Sequence, residues 1–169
     1  MRTEKKKLHF VKMQGSGNDY IFINNFDNAI TCPESLALMY TDRHYGIGGD
    51  GLVLIEKSDV ADAKMRIFNI DGTEGKMAGN CIRCVAKYLY DNGFVKREDM
   101  RIETASGVKD IKVYISNDVV TSASVYMGKA DFDPKSVPVI LDGDKVMDRT
   151  VQVGDNIYNI SCVSVGNPH

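Results

Sequence analysis

The segment that most constrains the fold is a helix predicted over residues 81–91. Ile82, Val85 and Leu89 recur there at helical spacing, and Gly93 follows as a left-handed terminus. Most other apolar segments are short and rich in branched residues, which is typical of strands. One long helix among many short strands needs a sheet that wraps or covers it, so the sequence predicts an α+β fold.

The predicted strands lie on both sides of this helix. Pro33 opens a second, shorter helix that continues over residues 35–43. Asn117 and Asp118 are predicted to form a hairpin turn. The segments predicted as strands are residues 8–13, 20–24, 52–56, 65–68, 108–115, 119–127, 146–153 and 158–165.

Two domains are predicted from the same pattern. Pro134 and Pro138 interrupt the run of strands, which places a domain boundary within residues 128–140. We therefore assign residues 1–127 to an N-terminal domain and residues 128–169 to the start of a second domain.

Composition indicates an ordinary globular protein and gives no sign of nucleic-acid binding or membrane insertion. Of the 169 residues, 43% are hydrophobic and 26% are charged, and the net charge of −2 gives no reason to expect nucleic acid. The basic cluster at residues 5–7 is interpreted as a solvated tail. No apolar run approaches a membrane span, and no signal-peptide core follows the polar N-terminus. We therefore expect no membrane partner and a cytoplasmic location.

A candidate anion site lies where the long helix begins. Gly79 and Asn80 mark its start, after a strand and the turn signal Asp71-Gly72, and Asn80 is expected to cap it. The free N–H groups and the positive dipole end of a helix start attract anions such as a carboxylate. The same position favours a thiolate, so Cys81 is a candidate catalytic acid or base.

The four cysteines are interpreted as thiols, because they are too few for a disulfide scaffold. Cys81 and Cys84 match a Cys-x-x-Cys redox motif at a helix start, although the βαβ pattern that usually accompanies it is missing. The simpler interpretation of Cys84 is a small buried residue. No second cysteine pair has metal-binding spacing and the histidines are scattered, so no metal site is predicted.

Three further features receive structural interpretations. Residues 46–51 match Gly-x-Gly-x-x-Gly, but a helix precedes them and a strand follows, which is the reverse of a dinucleotide site. They are interpreted as a turn, with Asp50 as a local hydrogen-bond acceptor. His44 is interpreted as a partner for the carbonyls at a helix end. Arg83 fits an acidic substrate and an exposed helix charge equally well.

Four asparagines stand beside strand or helix ends, namely Asn18, Asn69, Asn80 and Asn167. Any one of them fits an ordinary turn. Together, in a chain without a nucleophilic triad, they indicate neutral amides that hold a zwitterionic amino acid, because an amide both donates and accepts hydrogen bonds.

These motifs resemble, in order and over the whole chain, the N-terminal part of the diaminopimelate epimerase family of lysine and peptidoglycan synthesis. The matching segments are FVKMQGSGNDY (residues 10–20), DRHYGIGGDG (42–51), FNIDGT (68–73), Gly79-Asn80 with Arg83-Cys84, and VGNPH (165–169). The resemblance implies one lobe of a two-lobed fold. In each lobe a curved, mostly antiparallel sheet wraps around a central helix, and the substrate lies in the cleft between the lobes.

The resemblance also implies a chemistry and a set of site residues. Family members invert an α-carbon by two-base proton transfer between two cysteines, one from each lobe, without pyridoxal phosphate or metal. The implied substrates are small amino acids, LL- and meso-diaminopimelate. Asn18, Asn69, Gly79, Asn80 and Asn167 fall on substrate-binding positions.

The chain departs from the family pattern in two ways. The family's first-lobe cysteine directly precedes the Gly-Asn pair, where this chain has Ala78 and carries Cys81 three residues later. Three explanations stay open: an engineered alanine, a natural alanine with Cys81 supplying the thiol, or binding without catalysis. The chain also stops as the second lobe begins, so we expect a fragment or truncated product that is inactive without the missing C-terminal lobe.

Three functions therefore compete. The first is an epimerase or racemase lobe of lysine biosynthesis, for which a homodimer is a candidate assembly. The second is an amino-acid-binding module that has lost catalysis. The third is a thiol-disulfide oxidoreductase that uses Cys81 and Cys84.

Overall fold

A computed structural model describes residues 7–169, in which ten strands and two helices occur. The helices are α1 (Pro33–Tyr40) and α2 (Gly79–Asp91). The strands are β1 (Val11–Gly15), β2 (Asn18–Asn24), β3 (Gly51–Glu56), β4 (Ala63–Asn69), β5 (Glu74–Gly75), β6 (Asp99–Thr104), β7 (Gly107–Ser116), β8 (Val119–Val125), β9 (Arg149–Val153) and β10 (Asn156–Ile160).

Helix α2 is the predicted long helix, and its C-terminal end is where the sequence places it. Its apolar face is buried. Gly93 follows with φ of 78°, a conformation that favours glycine. Phe94 then turns back and stacks on Tyr88 with ring centroids 5.9 Å apart. The start differs from the prediction, because the helix begins at Gly79 rather than at residue 81.

The sheet curls around α2. Its strand order is β1-β2-β3-β4-β6-β7-β8, with β5 paired to β4. The β2–β3 and β4–β6 pairs are parallel and the other pairs are antiparallel. Helix α2 packs against β8 and β1, the two outermost strands of this order. The predicted curved, mostly antiparallel sheet around a central helix is therefore confirmed.

Strand β3 is an interior strand of the sheet and is buried on both faces. Val53 and Ile55 belong to the apolar cluster that surrounds α2. Leu52 and Leu54 point the other way and pack with Ala37 of α1. A strand covered by a helix on each side reads as a continuous apolar run, as this one does in the sequence.

The β7–β8 hairpin also forms as predicted. Asn117 and Asp118 have φ of 52° and 59°, the two positive values that a type I′ turn requires. Ile111 and Val113 alternate inward along β7 and are buried against α2. This hairpin brings β8 back alongside the helix.

Several predicted boundaries are wrong at the N-terminal side of the sheet. Strand β1 begins at Val11 rather than at residue 8, and α1 ends at Tyr40 rather than at residue 43. The carbonyl of Tyr40 accepts the backbone N–H groups of Ile47 and Gly48. The predicted capping role of His44 is therefore wrong, because the chain's own turn supplies the donors.

The chain forms two compact units, one ending at Tyr126 and the other spanning Met127–His169. In the second unit β9 and β10 form an antiparallel hairpin, and Val137 and Val146 are its buried apolar residues. Across residues 7–169, no helix has the length and apolar character needed to cross a membrane. Of the basic cluster at residues 5–7, only the last is described, and it is exposed.

The structure predicts that the buried face of α2 contributes a large part of the free energy of unfolding. Leu89→Ala should lower the free energy of unfolding by about 2–5 kcal/mol, because Leu89 is completely buried and leaves a cavity. Leu38→Ala, the same deletion at a side chain 56% exposed on α1, should change it by less than about 0.5 kcal/mol. Urea unfolding followed by circular dichroism measures both, and equal losses would contradict the assignment of the core.

Candidate functional site

The first turn of α2 presents unpaired backbone donors. Ala78 precedes the helix in an extended conformation, and no side chain caps the helix. The first bond runs from the N–H of Ile82 to the carbonyl of Ala78, at 3.1 Å. In the described part of the chain, the N–H groups of Gly79, Asn80 and Cys81 meet no acceptor. Together with the helix dipole they form a candidate site for an anion.

The amides of Asn80 and Asn18 are in direct contact beside this helix start. Nδ2 of Asn80 donates to Oδ1 of Asn18 at 2.8 Å, and Nδ2 of Asn18 donates to Oδ2 of Asp50 at 3.2 Å. The predicted capping role of Asn80 is wrong, because the helix begins at Gly79, two residues earlier than predicted, and the Asn80 side chain donates to Asn18. Asp50 is a hydrogen-bond acceptor as predicted, but the prediction that its bonds are local is wrong, because the donors Asn18 and Asp19 lie 32 and 31 residues away in the chain.

A close approach between β1 and α2 brings these groups together. A Cβ added to Gly15 would lie 2.7 Å from the carbonyl oxygen of Asn80, so only glycine fits there. Beyond Gly15, Arg83 donates to Oγ of Ser16 at 2.9 Å and to Oδ1 of Asn80 at 2.8 Å. Arg83 is therefore not a simple exposed charge, since it ties the β1–β2 turn to the helix.

Asn18 is hydrogen-bonded to an ion-pair network through Asp50. Arg43 donates to both carboxylate oxygens of Asp19, at 2.6 Å and 3.2 Å, and to Oδ1 of Asp50 at 2.9 Å. Lys12 lies 3.0 Å from Asp19. Hydrogen bonds from Arg43 and Lys12 hold the pKa of the Asp19 carboxyl well below its usual range. Sequence reasoning missed this network, because Asp19 and Asp50 become neighbours only through the parallel pairing of β2 with β3.

Asn69 reaches the same end of the sheet by strand pairing. In the register of β2, β3 and β4, Tyr20 lies opposite Gly51, and Gly51 lies opposite Asn69. Asn69 is exposed at the end of β4, where its Nδ2 donates to Oγ1 of Thr73 at 2.9 Å. The starts of β2 and β3 and the end of β4 therefore lie together at one end of the sheet.

Asn167 belongs to the second unit, where it is exposed in a turn. Its Oδ1 lies 3.1 Å from Nε2 of His169. The substrate-binding role of Asn167 stays a prediction, which depends on the sequence motif alone.

The cysteines of α2 are buried. Cys81 has no exposed surface and Cys84 is 7% exposed. Burial, reinforced by Cys84, raises the pKa of Cys81 well above its usual range, and burial also raises the pKa of Cys84. The predicted thiolate at Cys81 is therefore wrong, because desolvation outweighs the helix start. The interpretation of Cys84 as a small buried residue is confirmed, and burial opposes a redox role for the pair.

Ala78 immediately precedes α2 and is only partly buried. Its methyl group packs at the margin of the apolar cluster around the helix. It is followed directly by the unpaired N–H groups of Gly79 and Asn80. A side chain at this position therefore lies beside the candidate anion site, whereas that of Cys81 points into the core.

Solved structures share this architecture at low sequence identity. A predicted epimerase from Pseudomonas aeruginosa superposes with a TM-score of 0.64 at 12% identity, covering 96% of this chain and 57% of that one. A hydroxyproline epimerase from Agrobacterium vitis gives 0.61 at 14% identity, covering 91% and 48%. The sheet curled around a helix is thus the fold found in these two epimerase structures.

Sequence comparison places the chain in one family with this fold. Residues 10–132 match the diaminopimelate epimerase family. Diaminopimelate epimerases from Methanococcus maripaludis and Desulfovibrio desulfuricans are 44% and 45% identical to the chain over 96% of its length. The chain belongs to the diaminopimelate epimerase family, and it spans 58% of the length of each of these relatives.

The burial of the thiols makes a prediction for their reactivity. Iodoacetamide should alkylate the exposed Cys32 readily in the folded protein and should reach Cys81 only after unfolding, because Cys81 is inaccessible and its thiol resists ionisation. Peptide mapping by mass spectrometry measures each site, with guanidinium-unfolded protein as the control. Equal rates at Cys32 and Cys81 in the folded state would refute the buried thiol.

Acid should weaken the network at Asp19. A carboxyl whose pKa is lowered on folding stabilises the protein above its unfolded pKa of about 4, and this contribution disappears as the pH falls further. Asp19→Asn should therefore lower the free energy of unfolding at pH 7 and reduce its loss between pH 6 and pH 3. Asp59→Asn, at an exposed carboxylate outside the ion pairs found in residues 7–169, is the control. Urea unfolding at each pH measures the free energy of unfolding of both variants. Equal changes with pH in the two variants would contradict the role assigned to Asp19.

Proposed function

We propose that this chain supplies a substrate-binding lobe of an amino-acid epimerase that inverts an α-carbon by proton transfer without pyridoxal phosphate or metal. The observation that carries the proposal is the set of unpaired N–H groups at the start of α2, next to the Asn18–Asn80 amide pair. Family membership supports the same conclusion. Relatives named diaminopimelate epimerase make LL- and meso-diaminopimelate the first substrates to test, with lysine biosynthesis in the cytoplasm as the setting.

The α-carboxylate is the part of the substrate that this lobe suits. The backbone N–H groups of Gly79 and Asn80 lie at the positive end of the α2 dipole. Asn18 and Asn69 supply amides at the same end of the sheet. The family motif assigns Asn167 to substrate binding as well. Amides suit a zwitterion because they bind it without adding net charge.

The same groups would lower the barrier to proton removal. An α-proton is a weak acid, so its removal develops negative charge that spreads onto the carboxylate. Fixed N–H donors stabilise that charge more strongly in a water-excluded site than in water. In the proposed reaction one base takes the proton from the α-carbon, and an acid on the opposite face delivers another, so the centre inverts without oxidation or reduction.

Ala78 determines whether this lobe can take part in proton transfer. It occupies the position that the family motif gives to a cysteine, and a methyl group neither accepts nor donates a proton. Cys81 is a poor replacement, because its thiol is buried and its pKa is raised. We therefore propose that the chain with Ala78 binds the substrate without completing the two-base reaction, which favours a binding module as the second candidate function.

The proportion of each relative that the chain spans leads to a further expectation. Because it covers 58% of their length, we expect residues 1–169 alone to lack the second acid or base of the cleft. Isolated residues 1–169 should not exchange the α-proton at an enzymatic rate. The proposed homodimer stays a prediction.

Deuterium exchange tests the proposal in a form of the protein that carries both lobes of the fold. Ala78→Cys should raise the rate at which the α-carbon of diaminopimelate takes up deuterium from heavy water by about 10²-fold or more, the usual contribution of a positioned acid or base. Ala78→Ser, of similar size but with a hydroxyl that ionises far less readily, is the matched control and should give little gain. Isothermal titration should show that the Ala78 form binds the substrate.

Two results would overturn this account. Rapid exchange by the Ala78 form that Cys81→Ala abolishes would make Cys81 the base. Absence of diaminopimelate binding to both the Ala78 and the Ala78→Cys forms would exclude the substrate.

A further inference from the structure

Three hydrogen bonds in series connect four side chains across the candidate site. Arg83 donates to Oδ1 of Asn80 at 2.8 Å, Nδ2 of Asn80 donates to Oδ1 of Asn18 at 2.8 Å, and Nδ2 of Asn18 donates to Oδ2 of Asp50 at 3.2 Å. The series begins on α2 and ends at the loop before β3. It therefore joins segments that are far apart in the chain.

The two ends of this series determine the direction of every bond in it. A guanidinium can only donate, so the atom of Asn80 that faces Arg83 must be its oxygen. A carboxylate can only accept, so the atom of Asn18 that faces Asp50 must be its nitrogen. The central bond then runs from the nitrogen of Asn80 to the oxygen of Asn18, and reversing either amide would place like atoms together.

Asp50 is itself held in place, so its end of the series is rigid. Its Oδ1 accepts from Arg43 at 2.9 Å, and its Oδ2 also accepts the backbone N–H of Asp19 at 3.2 Å. Arg43 is fixed in turn by its two bonds to Asp19. The carboxylate therefore cannot turn away from Asn18 without losing several charge-assisted bonds.

We propose that Asp50 and Arg83 are positioning residues that set the orientation of the Asn18 and Asn80 amides, and thereby keep N–H donors available to a substrate carboxylate. The binding part of this proposal rests on the proposed function. Each Nδ2 carries a second hydrogen that the series does not use. If an amide reversed, an oxygen would replace this donor beside the helix start and would repel a carboxylate.

The test follows the side-chain amide resonances of Asn18 and Asn80 by ¹⁵N NMR. Arg83→Met removes the donor at one end of the series. Asp50→Asn removes the acceptor at the other end, because the cationic Arg43, which can only donate, takes its single oxygen and leaves the NH2 group facing Asn18. Arg83→Lys keeps a group that only donates, and Ser16→Ala removes only the other partner of Arg83.

A series with a fixed direction transmits a change at either end along its whole length. Arg83→Met should shift the amide resonances of Asn18, which Arg83 does not contact in the series, and Asp50→Asn should shift those of Asn80. Arg83→Lys and Ser16→Ala should leave both pairs close to their original positions. Shifts confined to the immediate neighbour of each substitution, in variants with an otherwise native spectrum, overturn the proposal. If Arg83→Met does not fold, Asp50→Asn alone decides by the same criterion.

A binding measurement separates this proposal from the function it rests on. In a form of the protein that carries both lobes of the fold, Arg83→Met should weaken diaminopimelate binding about tenfold, the loss of one hydrogen bond to a charged group, and Arg83→Lys should keep the original affinity. In a form carrying Ala78→Cys, KM should rise and kcat should fall, because the donors hold the carboxylate in the ground state and also stabilise the negative charge that spreads onto it during proton removal. Failure of diaminopimelate to bind at all would refute the proposed substrate, while the NMR result would still decide the roles of Asp50 and Arg83.

Discussion

The contact between β1 and the first turn of α2 is the constraint on which the site depends. The carbonyl of Asn80 approaches the position where any side chain at residue 15 would begin, and glycine is what allows it. This approach brings the β1–β2 turn to the helix start, where Arg83 meets Ser16 and Asn80 meets Asn18. Without it, the helix would still pack in the sheet, but its free N–H groups would lack the neighbouring amides.

Charge plays a supporting part that differs from the usual role of an ion pair. The Arg43 pairs with Asp19 and Asp50 are partly exposed, and such pairs contribute little to stability one by one. Here they hold a carboxylate next to a neutral amide. In the proposed site the groups offered to a substrate carboxylate are neutral amides and backbone N–H groups, and charged side chains hydrogen-bond to these amides at both ends, Asp50 to Asn18 and Arg83 to Asn80.

Local signals in the sequence were sufficient for some elements and insufficient for others. The end of α2 at Gly93 and the turn at Asn117 were predictable, because each depends on a backbone conformation that the residue itself favours. The burial of Cys81 was not, since a helix start favours a thiolate until the surrounding strands remove water from it. Family motifs predict Asn18 and Asn80 as binding positions, but their link through Arg83 and Asp50 depends on strand register and on a single glycine contact.

The same long-range contacts have a consequence for how the protein is made. Asn18 and Asn80 are 62 residues apart in the chain, and Lys87 of α2 reaches the carbonyl of Val120, 33 residues later. During synthesis, α2 therefore leaves the ribosome with β1 already available but with β8 still to be translated. Its buried face stays open on one side until the β7–β8 hairpin emerges, so the unfinished chain exposes apolar surface that favours aggregation during that interval.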